Sequence, residues 1–125
     1  MRFLVVDDSA TMRRIITNSL SRIGHRDVVE ADDGTTAFAA FEDGGIDFII
    51  TDWNMPQMSG LDFSRRVRSH PRGGKVPILM VTTRSAREDI LAAVEVGVTN
   101  YVLKPFTPPV LKEKIDAILN VVAAA

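Results

Sequence analysis

Asp7, Asp8, Asp52, Thr82 and Lys104 are the residues of this chain whose types and placement can do chemistry. Each stands where an apolar run stops. Phe3-Leu4-Val5-Val6 meets Asp7-Asp8, Phe48-Ile49-Ile50 meets Thr51-Asp52, Ile78-Leu79-Met80-Val81 meets Thr82-Thr83, and Tyr101-Val102-Leu103 meets Lys104. If the three carboxylates converge to about 5 Å, each ionised pair repels by roughly 3 kcal/mol at an effective dielectric of about 20. Such a group needs a counter-charge. All-oxygen ligation with water completing an octahedron suits Mg²⁺, which prefers to be shared with a phosphate oxygen. With the Lys104 amine and the Thr82 hydroxyl facing the same phosphate, the set reads as a site for moving a phosphoryl group. Asp52 is then the carboxylate nucleophile, metal and Lys104 neutralise charge, and Thr82 donates a hydrogen bond.

Those residues meet only if the runs are parallel strands with their carboxyl ends along one edge of a sheet. Short Val/Ile/Leu-rich runs separated by longer segments of helical period predict buried parallel strands, and ligands of open α/β sheets bind outside the strand ends. Between the strands, Met12, Ile15, Ile16, Leu20 and Ile23 share a helical face, with Ser9 as N-cap and Gly24 as stop, which predicts a helix from about Ala10 to Ile23. Val28-Val29-Glu30-Ala31 is a weaker strand closed by Asp32-Asp33-Gly34. Ala37, Phe38 and Phe41 mark a short helix ending at Gly44-Gly45, and Leu61, Phe63 and Val67 a third that dissolves into the turn-rich stretch from Ser69 to Gly74. Ile90, Leu91 and Val94 form the apolar stripe of a fourth helix stopped at Gly97. Thr107 as N-cap with Pro108 at the first helical position opens the last, carried by Leu111, Ile115, Ile118, Leu119 and Val122; the terminal Ala123-Ala124-Ala125 is expected to fray. Five strand-helix alternations predict an α/β fold: a doubly wound, five-stranded parallel sheet with right-handed crossovers and helices on both faces.

A chain of 125 residues with 46% hydrophobic content builds one core and one domain. No stretch approaches a membrane span, no signal peptide precedes the first strand, and zero cysteines exclude a disulfide framework and fit a reducing cytosol. A net charge of -1 argues against nucleic-acid binding; the local cluster of Arg65, Arg66, Arg68 and Arg72 reads as a solvated helix face and loop. His25 and His70 fall in loops away from the strand ends and receive no metal or catalytic role. Met55, Met58 and Met80 read as core or loop packing. Trp53, beside Asp52, is expected to report metal binding through its fluorescence.

The motifs carry a resemblance. Asp7-Asp8 after the first strand, Asp52-Trp53-Asn54-Met55-Pro56-Gln57-Met58-Ser59-Gly60 after the third, Thr82 after the fourth and Lys104-Pro105-Phe106 after the fifth resemble the receiver domain of bacterial two-component response regulators. The likeness covers essentially the whole chain, as a single receiver domain over 1–125 without an output domain. It implies a flavodoxin-like (βα)5 sandwich of three layers. The wording of Phe3 to Asp8, Thr11-Met12-Arg13-Arg14, Asp52 to Pro56, Met80-Val81-Thr82, Tyr101-Val102 and Lys104 to Thr107 is most similar to the family's stand-alone chemotaxis regulators.

What the resemblance implies follows position by position. Asp52 accepts a phosphoryl group from the phosphohistidine of a sensor histidine kinase of the chemotaxis type; Asp8, Asp52 and the carbonyl of Asn54 bind Mg²⁺, and Asp7 assists. Lys104 and Thr82 contact the phosphoryl oxygens, and Pro105 follows a cis bond. Phosphorylation draws Thr82 inward and Tyr101 after it, a population shift read at the fourth helix, fifth strand and fifth helix. Contacts expected there are Ser85, Arg87, Ile90, Tyr101, Leu103 and Lys114. The implied function is a cytoplasmic, monomeric, phosphorylation-activated switch that binds the flagellar motor switch protein, with a phosphatase as a further partner. It touches neither nucleic acid nor membrane, and it catalyses its own phosphorylation and dephosphorylation rather than turning over a substrate.

Other classes fit less well. A haloacid-dehalogenase-type phosphohydrolase has a second Asp where this chain has Asn54, and a flavodoxin-like electron carrier needs a phosphate loop that Asp7-Asp8 would repel. Within the family, a phosphorelay intermediate or phosphate sink is the alternative role. Two positions depart from the pattern: Thr83 stands where the family has a smaller residue, and Arg84 where enteric chemotaxis regulators carry an acid.

Overall fold

The computed structural model describes the backbone of residues 1–124 and side-chain exposure to Val121. The order is β1 (Phe3–Val6), α1 (Ala10–Arg22), β2 (Val28–Ala31), α2 (Gly34–Asp43), β3 (Phe48–Thr51), α3 (Gly60–Ser69), β4 (Ile78–Thr82), α4 (Arg87–Glu95), β5 (Asn100–Leu103) and α5 (Pro108–Ala124). All strands are parallel, in the order β2-β1-β3-β4-β5, so the winding reverses between β1 and β3. Alternate strand residues feed the two faces. Leu4, Val6, Ile49, Ile78 and Met80 join Ala37, Phe38, Phe41, Phe63, Val67 and Ala93 of α2, α3 and α4. Phe3, Val5, Phe48, Ile50, Leu79 and Val81 join Ile16, Leu20, Leu111, Ile115 and Ile118 of α1 and α5.

Caps set the helix starts. Ser9, Asp33 and Ser59 each accept a hydrogen bond from a backbone N–H in the first turn of α1, α2 and α3. Asp33 thus opens α2 as well as closing β2. The carbonyl of Thr107 accepts from Val110 and Leu111 at the start of α5. The inward face of Val122 and the end of the expected Ala123–Ala125 fray lie outside the described residues.

Four expectations require correction. β5, expected to be buried, is an edge strand and only partly so, like the weaker strand β2 at the other edge, because an outer strand has a neighbour on one side only. Ile15 is exposed while Ile16 and Leu20 are buried; neighbours on a helix point about 100° apart, and only one of the pair can face the sheet. The stripe on α4 faces outward: Ala93 packs on the core, Ile90 is half-buried, and Leu91 and Val94 are 50% and 63% exposed. The arginine cluster is not uniformly solvated. Arg68 is half-buried and donates to the carbonyls of Gly73, Val76 and Gly97, tying α3 to the loops before β4 and β5.

Candidate functional site

The register brings the strand ends level. Val6 pairs with Ala31 and with Thr51, Thr51 with Met80, and Thr82 with Leu103. The next residue on each strand therefore emerges at the same edge, which sets Asp7 beside Asp52 and Lys104 just beyond Thr82. Main-chain bonds continue the ladder: Asp7 donates to Ala31, Asp52 to Val6, and Lys104 to Thr82.

Two of the three carboxylates are sunk into this edge, Asp7 at 1% and Asp52 at 8% exposure, whereas Asp8 is exposed. One oxygen from each lies within 4.8 Å of the others. Lys104 Nζ is 2.9 Å from Asp7 Oδ2 and 3.3 Å from Asp52 Oδ2. The remaining oxygens have fixed partners: Asp7 Oδ1 accepts from the N–H of Ser9 at 2.8 Å, and Asp52 Oδ1 from that of Trp53 at 2.7 Å. Lys104 precedes Pro105 through a cis bond.

Burial raises the pKa of Asp52; Lys104 lowers it, Asp7 raises it again, and the outcome lies above the ordinary carboxylate value. For Lys104, burial works to lower the pKa, but the hydrogen bond to Asp7 and the charges of Asp52 and Asp7 outweigh it and hold the ammonium above its usual range. One amine faces three acidic groups. An all-oxygen donor set with this deficit of positive charge fits a hard divalent cation.

The loop after Asp52 is held close. Gly60 N–H donates to Trp53 O at 2.7 Å, and a Cβ at Gly60 would lie 1.9 Å from the Asp52 carbonyl, so only glycine lets α3 start here. Asn54 is exposed, and its side-chain oxygen accepts from Arg84 at 2.9 Å. Thr82 is fully buried; its hydroxyl accepts from the N–H of Arg84 at 3.2 Å, leaving its own proton available.

The comparisons decide the family. The model of the response regulator receiver domain matches residues 3–116. This chain belongs to that family. The receiver domain is 50% identical to the chemotaxis protein CheY1 of Helicobacter pylori over 121 residues, covering 96% of this chain and 98% of the relative. It is 51% identical to the chemotaxis protein CheY of Pseudomonas aeruginosa over 120 residues, covering 96% and 97%. Among solved structures, CheY4 of Vibrio cholerae superposes with a TM-score of 0.88 at 35% identity, covering 94% of this chain and 97% of that one. A receiver domain of a Pseudomonas aeruginosa sensor histidine kinase, solved with a magnesium ion coordinated in its active-site cleft, gives a TM-score of 0.86 at 26% identity, with 95% and 97% covered.

The outer residues expected from the sequence lie at α4, β5 and α5, with β5 at the edge of the sheet. Ser85 and Arg87 are exposed at the start of α4, Leu103 is 45% exposed on β5, and Ile90, Tyr101 and Lys114 are half-buried. Tyr101 O–H donates to the Arg84 carbonyl at 2.6 Å. Sequence reasoning missed Leu91 and Val94, whose outward direction no pattern on α4 reveals. It also gave Arg84 no role, although that side chain touches Asn54, Trp53 and Asp89. No helix among the described residues is long and apolar enough to cross a membrane.

Proposed function

We propose that this receiver domain takes a phosphoryl group from the phosphohistidine of a sensor histidine kinase onto Asp52, and in that form binds the flagellar motor switch to control chemotaxis. The supporting observation is the level edge at which Asp52, buried and short of positive charge, faces Lys104 and lies among Asp7 and Asp8. An Asp52 carboxylate oxygen attacks phosphorus; the P–O bond forms as the P–N bond breaks, and the departing imidazole nitrogen takes a proton. Asp7, Asp8, Asp52 and the Asn54 carbonyl would hold Mg²⁺, which would supply positive charge against the phosphoryl oxygens. Lys104 adds a fixed positive charge, and the Thr82 hydroxyl donates its free proton to the new group. The chain is the acceptor and its own catalyst, not a turnover enzyme.

The partner surface is the side bearing Ser85, Arg87, Ile90, Tyr101, Leu103 and Lys114, extended by Leu91 and Val94. Neighbouring exposed apolar side chains rimmed by polar ones mark a binding surface. Both curated relatives above carry chemotaxis names, which favours the motor switch as partner. The test is binding of modified and unmodified protein to a motor-switch peptide and, separately, to a histidine phosphotransfer domain. Tighter binding of the modified form to the peptide supports the switch; equal binding of both forms contradicts it, and fast reversible transfer to the phosphotransfer domain assigns the relay role instead.

A further inference from the structure

Every polar atom of Asp7 is engaged. Its N–H donates to the Ala31 carbonyl at 3.1 Å, Oδ1 accepts from the N–H of Ser9, and Oδ2 accepts from Lys104. Its carbonyl accepts from Arg13 Nη1 at 2.6 Å. Arg13 stands half-buried in the first turn of α1, and its Nε donates to Glu30 of β2 at 3.2 Å. Strand β2 sends no residue into the phosphoryl site. It nevertheless holds the turn after β1 twice, directly through the Ala31 carbonyl and indirectly through Glu30 and Arg13. Asp8, next in the chain, is exposed, and its carboxylate pairs with no lysine or arginine among the described residues.

We propose that Arg13, braced by Glu30, is a positioning residue that sets the preference of the acidic site for Mg²⁺ over the larger Ca²⁺. This rests on the reading of Asp7, Asp8, Asp52 and the Asn54 carbonyl as the metal group. A peptide unit is planar, so holding the Asp7 carbonyl holds the plane through which the chain passes to Asp8. The bond from Ser9 N–H to Asp7 Oδ1 closes the turn on the other side of Asp8. Asp8 has no side-chain ion pair to orient it, and the direction of its carboxylate is set by this braced main chain. Mg²⁺ demands near-ideal octahedral geometry, whereas Ca²⁺ accepts more oxygens in flexible arrangements. A fixed Asp8 therefore favours the smaller ion, and a mobile one penalises Mg²⁺ selectively. A purely electrostatic Arg13 would act differently, repelling both cations alike. Glu30 offsets that charge, and the two contacts use different guanidinium nitrogens, a fixed fork that a lysine ammonium does not reproduce.

Calorimetric titration of Mg²⁺ and, separately, of Ca²⁺ into the full chain without a phosphodonor tests this in the parent, Arg13→Ala, Arg13→Lys and Glu30→Gln proteins. In Arg13→Ala the Kd for Mg²⁺ rises roughly tenfold, the scale of losing an outer partner of a metal ligand, while that for Ca²⁺ changes by less than about twofold. Arg13→Lys and Glu30→Gln shift the Mg²⁺ value in the same direction by smaller amounts. General damage to the fold lowers both affinities together; if Arg13→Ala behaves so, the two milder variants must still lose Mg²⁺ selectively. An unchanged ratio of the two affinities in all three variants overturns the proposal. Tighter binding of both ions in Arg13→Ala overturns it too, since the guanidinium then acts only as a repelling charge. A parent that binds neither ion, or that binds Mg²⁺ equally well after Asp8→Ala, overturns instead the metal-group reading on which the proposal rests.

Discussion

Two regions of this molecule break the ordinary rule of burial in opposite senses. At the carboxyl edge of the sheet, Asp7, Asp52 and Thr82 are buried, with Lys104 reaching over them; on the α4–β5 side, Leu91, Val94 and Leu103 stand in solvent. Buried charge costs free energy unless paired, and exposed neighbouring apolar side chains go uncompensated until something covers them. Each region is incomplete on its own, the first in positive charge and the second in apolar contact. Arg84 lies between them: its N–H donates to Thr82, its carbonyl accepts from Tyr101 of β5, and its guanidinium faces Asp89 of α4. Local violations of folding rules collect at functional sites, and the proposed function makes the two kinds complementary: it assigns a small charged group to one region and a protein to the other.

The contrast can be broken first at the charged edge. Chelating Mg²⁺, or replacing Asp8 by Ala, is expected to reduce phosphoryl transfer from acetyl phosphate by at least about a hundredfold while leaving the fold intact, because Asp8 is exposed and pairs with no lysine or arginine among the described residues. Phosphoprotein gels over time check this. Removing the counter-charge is the next largest effect. Lys104→Ala leaves two buried carboxylates facing each other and should cost about 2–3 kcal/mol in urea unfolding, with part of the loss recovered on adding Mg²⁺. No recovery would show that the metal and the lysine do not share the same carboxylates.

At the apolar side the order reverses, with binding affected and stability not. Leu91→Ser and Val94→Ser should each change unfolding free energy by less than about 0.5 kcal/mol and yet weaken binding of the modified protein to a motor-switch peptide by roughly tenfold, measured by fluorescence titration. The smallest effect returns to the edge. Folding works against the ionised form of Asp52, whose pKa is raised above 3.8. The penalty is fully present above the raised value and disappears as pH falls through it toward the unfolded one. Without Mg²⁺, Asp52→Asn should therefore be more stable than the parent near neutrality, with the advantage shrinking in acid. Thermal melts across pH measure it.

Much of this arrangement is legible in the sequence because continuous apolar runs of three or four residues between helical segments fit buried strands, and a polar residue at the end of each marks where burial stops. Asp7, Asp52, Thr82 and Lys104 follow from that alone, and their meeting follows from the parallel register. What escapes is what depends on direction. Leu91 and Val94 have the spacing of a core stripe, and helical period says that a face is apolar without saying which way it points. Ile15 is misplaced for the same reason. Arg68 and Arg84 look like surface charges because their partners are carbonyls and side chains from distant segments, which no local pattern contains. β5 appears too buried because strand order is absent from the run of residues.

The central claim is that Asp52 is the phosphoryl acceptor at an edge that needs a divalent cation. The most direct measurement is intact-protein and peptide mass spectrometry after incubation with acetyl phosphate and Mg²⁺, with borohydride trapping of the acyl phosphate. One phosphoryl group per chain, located on Asp52, lost on chelation and absent from Asp52→Asn, is the predicted result. An acyl phosphate that persists undiminished in Asp52→Asn, or that forms equally well without a divalent cation, would contradict it.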